Sequence, residues 1–303
     1  MSVPIRQKYC LLAVVTLLAV WLTGADRHSM AESSSEPPPS VSLAYSPLPT
    51  PAPAPEPAGG GAPASPAGTR EAFRDLAGRD PWALARLARE RYQRDVHAYT
   101  CVFLKQERID GKLRDVEEIE VRFRDQPKTV YMIWKRNADQ AKRVLFVDSP
   151  DFRDKNGEKV ARVEPAGPLI RLLVDDVFMP IHGKYAQQTS RRSIDEFGFA
   201  ATLDLLERYN RLGAERGVLE LRFAGEGEID GRPTFVIERY LPYEGEGGLW
   251  PDAKMVMHID QQWLLPTAVY SYADREGRRL LGSYVLTKVR LNPPELDGSA
   301  FDF

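Results

Sequence analysis

The sequence predicts an α+β fold, a curved antiparallel sheet of about 9 to 11 strands with a few helices packed against it. The first observation behind that expectation is the C-terminal stretch, where Lys254–Asp260, Leu265–Ala273 and Arg279–Leu291 are strand-length runs rich in Val, Tyr, Thr and Leu. They are separated only by Gln261–Leu264 and by the polar turn Asp274-Arg275-Glu276-Gly277, which reads as a meander. The second is a pair of Asp-Gly dipeptides, Asp110-Gly111 and Asp230-Gly231, each between strand-like runs. Such pairs supply the positive φ angles of tight hairpin turns. The third is alternation: Ile119, Val121 and Phe123 interleave with Glu118, Glu120, Arg122 and Arg124, so one face is buried and the other wet.

The elements follow in chain order. Residues 1–31 read as an export signal, with Arg6 and Lys8 ahead of the apolar run Cys10–Thr23, and small residues at Ala25 and Ala31. That run is about fourteen residues, short of the roughly 20 needed to span a bilayer. Cleavage could follow either alanine, or the segment could remain as an uncleaved anchor. Residues 32–69 form a Pro-rich linker with eleven prolines and the run Gly59-Gly60-Gly61. With almost no large apolar residues it cannot offset its ordering entropy, so it is expected to be a disordered, extended spacer.

Order is expected from residue 70 onward. Asp80-Pro81 is a helix start, and Leu84, Leu87, Ala88 and Tyr92 recur at helical spacing through Trp82–Val96. A long hairpin of Tyr99–Ile109 with Leu113–Arg124 follows, then strands at Thr129–Trp134, Lys142–Asp148 and Lys159–Val163, the last after an Asn156-Gly157 turn. The apolar segment Pro168–Pro180 interrupts the sheet and is expected to be helical at Pro168–Val174. Ser193 and Glu196 have capping-box spacing and open a helix expected to stop at Gly213. Val218–Ala224 and Thr234–Tyr240 make the second Asp-Gly hairpin, followed by the Gly-rich loop Pro242–Asp252.

Net charge is −2 with both signs interspersed, so neither a nucleic-acid footprint nor a polybasic lipid anchor is expected. Beyond the signal only Cys101 remains, which precludes an intramolecular disulfide and, in its apolar run, reads as a buried inert thiol. His97, His182 and His258 lie in different elements without metal-ligand spacing. Asp175-Asp176 are adjacent and point apart. There is no G-x-S-x-G elbow and no phosphate-binding glycine loop. No catalytic residue, metal site or cofactor is expected.

Two stretches carry a family resemblance. Phe103–Lys112 (FLKQERIDGK) with Val130–Trp134 (VYMIW), and Ser190–Gly198 (SRRSIDEFG), resemble the domain-of-unknown-function family 1571 over roughly Tyr92–Phe303. More distantly, the C-terminal order Ile259-Asp260, Leu265-Pro266, Tyr272-Ala273, Gly277 and Val289–Pro293 is similar to the lipoprotein carriers LolA and LolB. That resemblance implies a single LolA-like domain over residues 70–303, an unclosed antiparallel β-barrel whose hollow is covered by helices and accepts acyl chains. The chain departs from the carriers in its spacer and its Gly245–Gly248 insertion.

The residues expected to face the hollow are Ile119, Val121 and Phe123; Val130, Met132 and Trp134; Leu219, Leu221 and Phe223; Met255, Met257 and Ile259; and Tyr270, Tyr272, Tyr284 and Leu286. Leu169, Ile170, Leu172 and Leu173 are expected to form a lid between Gly167 and Gly183. The functional expectation is a non-catalytic, monomeric, membrane-proximal protein of the periplasm or cell envelope that binds a lipid acyl chain or lipoprotein. The alternative is a module with a filled core whose surface binds an envelope protein partner.

Overall fold

The structure, a computed structural model, describes residues 67–138, 140–167, 176–296 and 298–303. The expected export signal, the expected linker up to residue 66, Asp175 and the expected lid residues Leu169, Ile170, Leu172 and Leu173 lie outside the described residues.

Chain order is α1 (Ala67–Arg79), α2 (Pro81–Asp95), β1 (Ala98–Ile109), β2 (Lys112–Leu113), β3 (Glu117–Arg124), β4 (Thr129–Arg136), β5 (Ala141–Val147), β6 (Val160–Pro165), β7 (Val177–Pro180), α3 (Lys184–Thr189), α4 (Phe199–Glu215), β8 (Glu220–Ile229), β9 (Arg232–Tyr240), β10 (Lys254–Asp260), β11 (Pro266–Tyr272) and β12 (Leu280–Leu291). The strands form one 12-stranded sheet in the order β7-β6-β5-β4-β3-β1-β12-β11-β10-β9-β8, with the two-residue β2 pairing β1 off this path. All pairs are antiparallel, and β7 and β8 are not joined, so the barrel is unclosed as expected.

Local chemistry explains most boundaries. Asp110 and Asp230 have φ of 50° and 53° and their glycines 76° and 72°, the backbone that Asp-Gly hairpins require. Asp80 caps α2 by accepting the Ala83 amide at 2.8 Å, with Pro81 in the first turn.

The expected helix from Ser193 to Gly213 needs correction at both ends. The capping box is present, but it closes only the 3₁₀ turn Ile194–Glu196. Gly198, at φ 117°, then separates that turn from the helix, and glycine is needed there because a Cβ would lie 3.0 Å from the Phe123 ring. The helix proper starts at Phe199 and runs past Gly213, whose missing side chain admits Leu241 and Leu219 instead of ending the helix. Val177–Pro180, expected within the apolar segment that interrupts the sheet, is the edge strand β7. Its backbone pairs with β6, and proline is tolerated at an edge.

Two apolar layers occupy the concave face. Helices α2 and α4 place Leu84, Ala88, Leu203 and Leu206 against Phe235, Ile237, Met257 and Ile259. Beside them Phe199 meets Tyr99, whose ring stacks on Phe123 at 4.6 Å between centroids. A third cluster lies on the convex face, where Phe301 and Phe303 cover Tyr131, Leu145 and Val147. Arg143 and Arg162 flank the Phe303 ring at 4.8 and 4.6 Å from its centroid.

His258 also points to the convex side, buried against the Thr234 hydroxyl (2.9 Å from Nδ1) and the edge of the Tyr270 ring. Burial lowers its pKa to about 4. The unfolded chain, with an ordinary His pKa near 6.5, therefore binds the proton first as pH falls. This histidine should accordingly reduce stability progressively between about pH 6.5 and 4, by up to about 3 kcal/mol. Urea unfolding at pH 7 and 4.5 should show a smaller loss for His258→Gln than for the parent. Equal losses would mean His258 is not buried in its neutral form.

Candidate functional site

The helices fill only part of the concave face. Beyond them lies a cavity of about 1820 Å³, larger than the roughly 300–1,000 Å³ of ordinary small-molecule pockets. Cross-strand register explains its composition, because directly opposed residues share a face. One row runs Ile237, Met257, Val269, Tyr284, Lys105 and Glu117 from β9 to β3. The row beside it toward the helices brings Leu286, Phe103, Ile119 and Trp134 together across β12, β1, β3 and β4. On the other side the row reads Leu221, Arg239, Met255, Ser271, Gly282 and Glu107. The wall is thus aliphatic, Met-rich and aromatic, with charge concentrated along one margin.

That margin is organised by Glu107, which is 3% exposed. One carboxylate oxygen accepts the Tyr284 hydroxyl at 2.7 Å, and the other accepts the Ser190 hydroxyl at 3.1 Å and the Arg191 amide at 3.2 Å. Lys105 Nζ lies 3.6 Å from Glu107 and 3.2 Å from Glu117, and Glu117 accepts the Trp134 indole N–H at 2.5 Å. Burial alone would lower the Lys105 pKa, but the two carboxylates outweigh it and hold the amine charged. Tyr284 is pushed well above the ordinary tyrosine value, first by burial and then by the adjacent Glu107 charge. Gly282 makes this geometry possible, since a Cβ there would lie 2.7 Å from the Tyr284 oxygen. The network ties β1, β3, β4, β12 and the Ser190–Arg191 segment into one rim.

The sequence-predicted wall separates into three groups. Ile119, Met132, Trp134, Met255, Met257, Tyr284 and Leu286 line the cavity together. Val121, Phe123, Val130, Leu221, Phe223 and Ile259 share the concave side but belong to the packed clusters, and Leu219 sits beside Gly213 just ahead of β8. Tyr270 and Tyr272 face the other way. Tyr270 opposes Val256 and Tyr272 opposes Lys254, so Val269 and Ser271 are the inward residues of β11. The tyrosines hold the larger apolar surface, which suggested the wrong phase; an amphipathic ring tolerates the wetter convex side.

Sequence reasoning missed the polar margin. Phe103, Lys105 and Glu107 alternate in phase on β1, as do Phe235, Ile237 and Arg239 on β9. Charges at inward-phase positions were the available signal. His182 does approach a carboxylate, at 3.2 Å from Asp195, but it is exposed and Lys159 shares that carboxylate. Asp176 is occupied by Arg162 at 2.7 Å. Among the described residues no cluster of His, Cys, Asp and Glu could hold a metal ion, and no helix is long and apolar enough to cross a membrane.

No curated protein matches the chain. Among solved structures it is similar to the Pseudomonas aeruginosa MucA/MucB complex, at 16% identity and TM-score 0.41 over 73% of this chain and 61% of that one. It is also similar to the Mycobacterium tuberculosis lipoprotein LppX, at 16% identity and TM-score 0.38 over 72% of this chain and 100% of that one. A LolA superfamily protein from Nitrosomonas europaea matches at 10% identity and TM-score 0.23 over 72% of this chain and 97% of that one. The chain spans about three fifths of the MucB chains it matches, 62% and 61%. Residues 96–303 match the family described as proteins of unknown function (DUF1571), and the chain belongs to that family.

Proposed function

We propose that the protein is a non-catalytic carrier or receptor that holds a lipid acyl chain, or a lipidated polypeptide, in the cavity of its curved sheet. The observation that supports this reading is the cavity itself, about 1820 Å³ and walled by Met132, Met255, Met257, Leu286, Ile119 and Trp134. Methionine side chains adapt to irregular apolar shapes, and each methylene removed from water contributes about 0.8 kcal/mol. The signal-like residues 1–31 and the Pro-rich spacer after them fit an exported, membrane-proximal protein of the periplasm or envelope. The one hydroxyl–imidazole contact described above, Thr234 with His258, is buried on the convex side and does not line the cavity.

Affinity for a homologous series of acyl probes should rise about fourfold per added methylene until the chain outgrows the cavity. Native mass spectrometry and extraction of protein purified without detergent should recover bound lipid. Protein that carries no lipid and ignores acyl probes of every length would overturn the proposal.

A second reading is an envelope protein-interaction module. It is favoured by Phe178, which is 51% exposed on the edge strand β7, a strand paired only with β6 among the described residues.

A further inference from the structure

Arg239 is a buried cation in an apolar wall, and its guanidinium keeps a donor without a partner among the described residues. It sits on the concave face of β9 between Leu221 and Met255, it lines the cavity, and it is 3% exposed. Its one ionic partner among the described residues is Asp252, reached by Nη2 alone at 3.0 and 3.2 Å. Its Nε is buried without a partner. A guanidinium carries five N–H donors, and leaving such donors unsatisfied away from water is costly. One strand further along the same row, past Met255, the Ser271 hydroxyl also lines the cavity and makes no side-chain hydrogen bond among the described residues.

Charge decides what kind of acceptor fits. Asp252 already neutralises Arg239, and at the far end of the row stands the Glu107 carboxylate. A second anion at Arg239 would meet Asp252 at close range in a low-dielectric wall, where repulsion is strong. An uncharged carbonyl oxygen needs only the free donors. We propose, resting on the carrier reading above, that Arg239 and Ser271 recognise the acyl carbonyl of a neutral lipid, an ester or an amide. The hydrocarbon chain then lies along Met257, Leu286 and Ile119. Arg239 here selects the ligand; nothing is transferred.

The test compares four probes of equal chain length by displacement of a fluorescent acyl reporter: a monoacylglycerol, the matching N-acyl ethanolamide, the free fatty acid and the alkane. The parent protein should bind one or both neutral carbonyl probes about tenfold more tightly than the alkane, and more tightly than the fatty acid at pH 8. Which of the two leads identifies ester or amide. In Arg239→Met/Asp252→Leu both charges leave together, an exchange that buried pairs often tolerate. This double variant should bind the alkane like the parent and lose the preference for carbonyl probes. Arg239→Lys keeps the ion pair but lacks the spare donors, and should lose the same preference should the double variant not fold. A preference that survives either substitution, or a parent that prefers the fatty acid, overturns the assignment while leaving the carrier reading intact. Failure of the parent to bind any of the four overturns both.

Discussion

A Met257→Glu protein should fail to fold stably, while a Leu286→Glu protein should fold and lose its acyl ligand. Both residues line the cavity. Met257, however, is 2% exposed and packs in the cluster that contains Leu206 and Ile237 beneath the helices, where an added carboxylate would be stripped of water. The expected cost is about 4 kcal/mol or more, the range of an unpaired charge in a packed core. Leu286 is only partly buried and faces the open half of the sheet, so the same change should cost about 1–2 kcal/mol there. Its carboxylate would sit where the proposed hydrocarbon chain would lie. Urea midpoints and acyl-probe uptake on the two variants separate the outcomes; equal destabilisation would show that the cavity is closed up in solution.

The contrast also marks where the sequence was legible. The helix at Asp80-Pro81, the two Asp-Gly hairpins and the strand Lys254–Asp260 could be read locally, because a cap, a positive φ or a clean alternation identifies each one. The inward phase of β10 was readable for the same reason. The phase of β11 was not, since both Val269/Ser271 and Tyr270/Tyr272 are acceptable strand faces and only the register with β10 decides between them. Nor could sequence say which inward residues would be packed and which would face space. Val121 and Ile119 are two residues apart on one face, yet only Ile119 lines the cavity, because Phe199 and its neighbours occupy the other end. The edge strand β7 was hidden by its brevity and its terminal proline.

Replacing Glu107 by Leu should be the most damaging polar substitution, at about 3–5 kcal/mol. The change would leave Lys105 with Glu117 alone, strand the Tyr284 hydroxyl, and release the Ser190 hydroxyl and Arg191 amide together. Glu107→Gln keeps an acceptor and should lose distinctly less. Chemical denaturation gives the size of the effect, and hydrogen exchange at the Arg191 amide gives its mechanism: that amide should lose protection well before those of β3. Unchanged protection at Arg191 would mean the segment is held by other contacts and the network is a passenger.

The pairing of β1 with β12 has a kinetic side. Tyr99 opposes Leu291 and Glu107 opposes Gly282, so the seam in the middle of the sheet joins the first described strand to the last. The neighbours on either side, β3 to β7 and β8 to β11, are sequential hairpins that can form from nearby residues. Each flank can therefore assemble early, but neither has its partner surface until β12 is in place. Closure of that long-range seam is the natural slow step, and until it occurs the apolar faces and open margins of both flanks are exposed to self-association. An apolar cavity thus makes its own nascent chain a hazard, and the time spent waiting for β12 sets how long that hazard lasts.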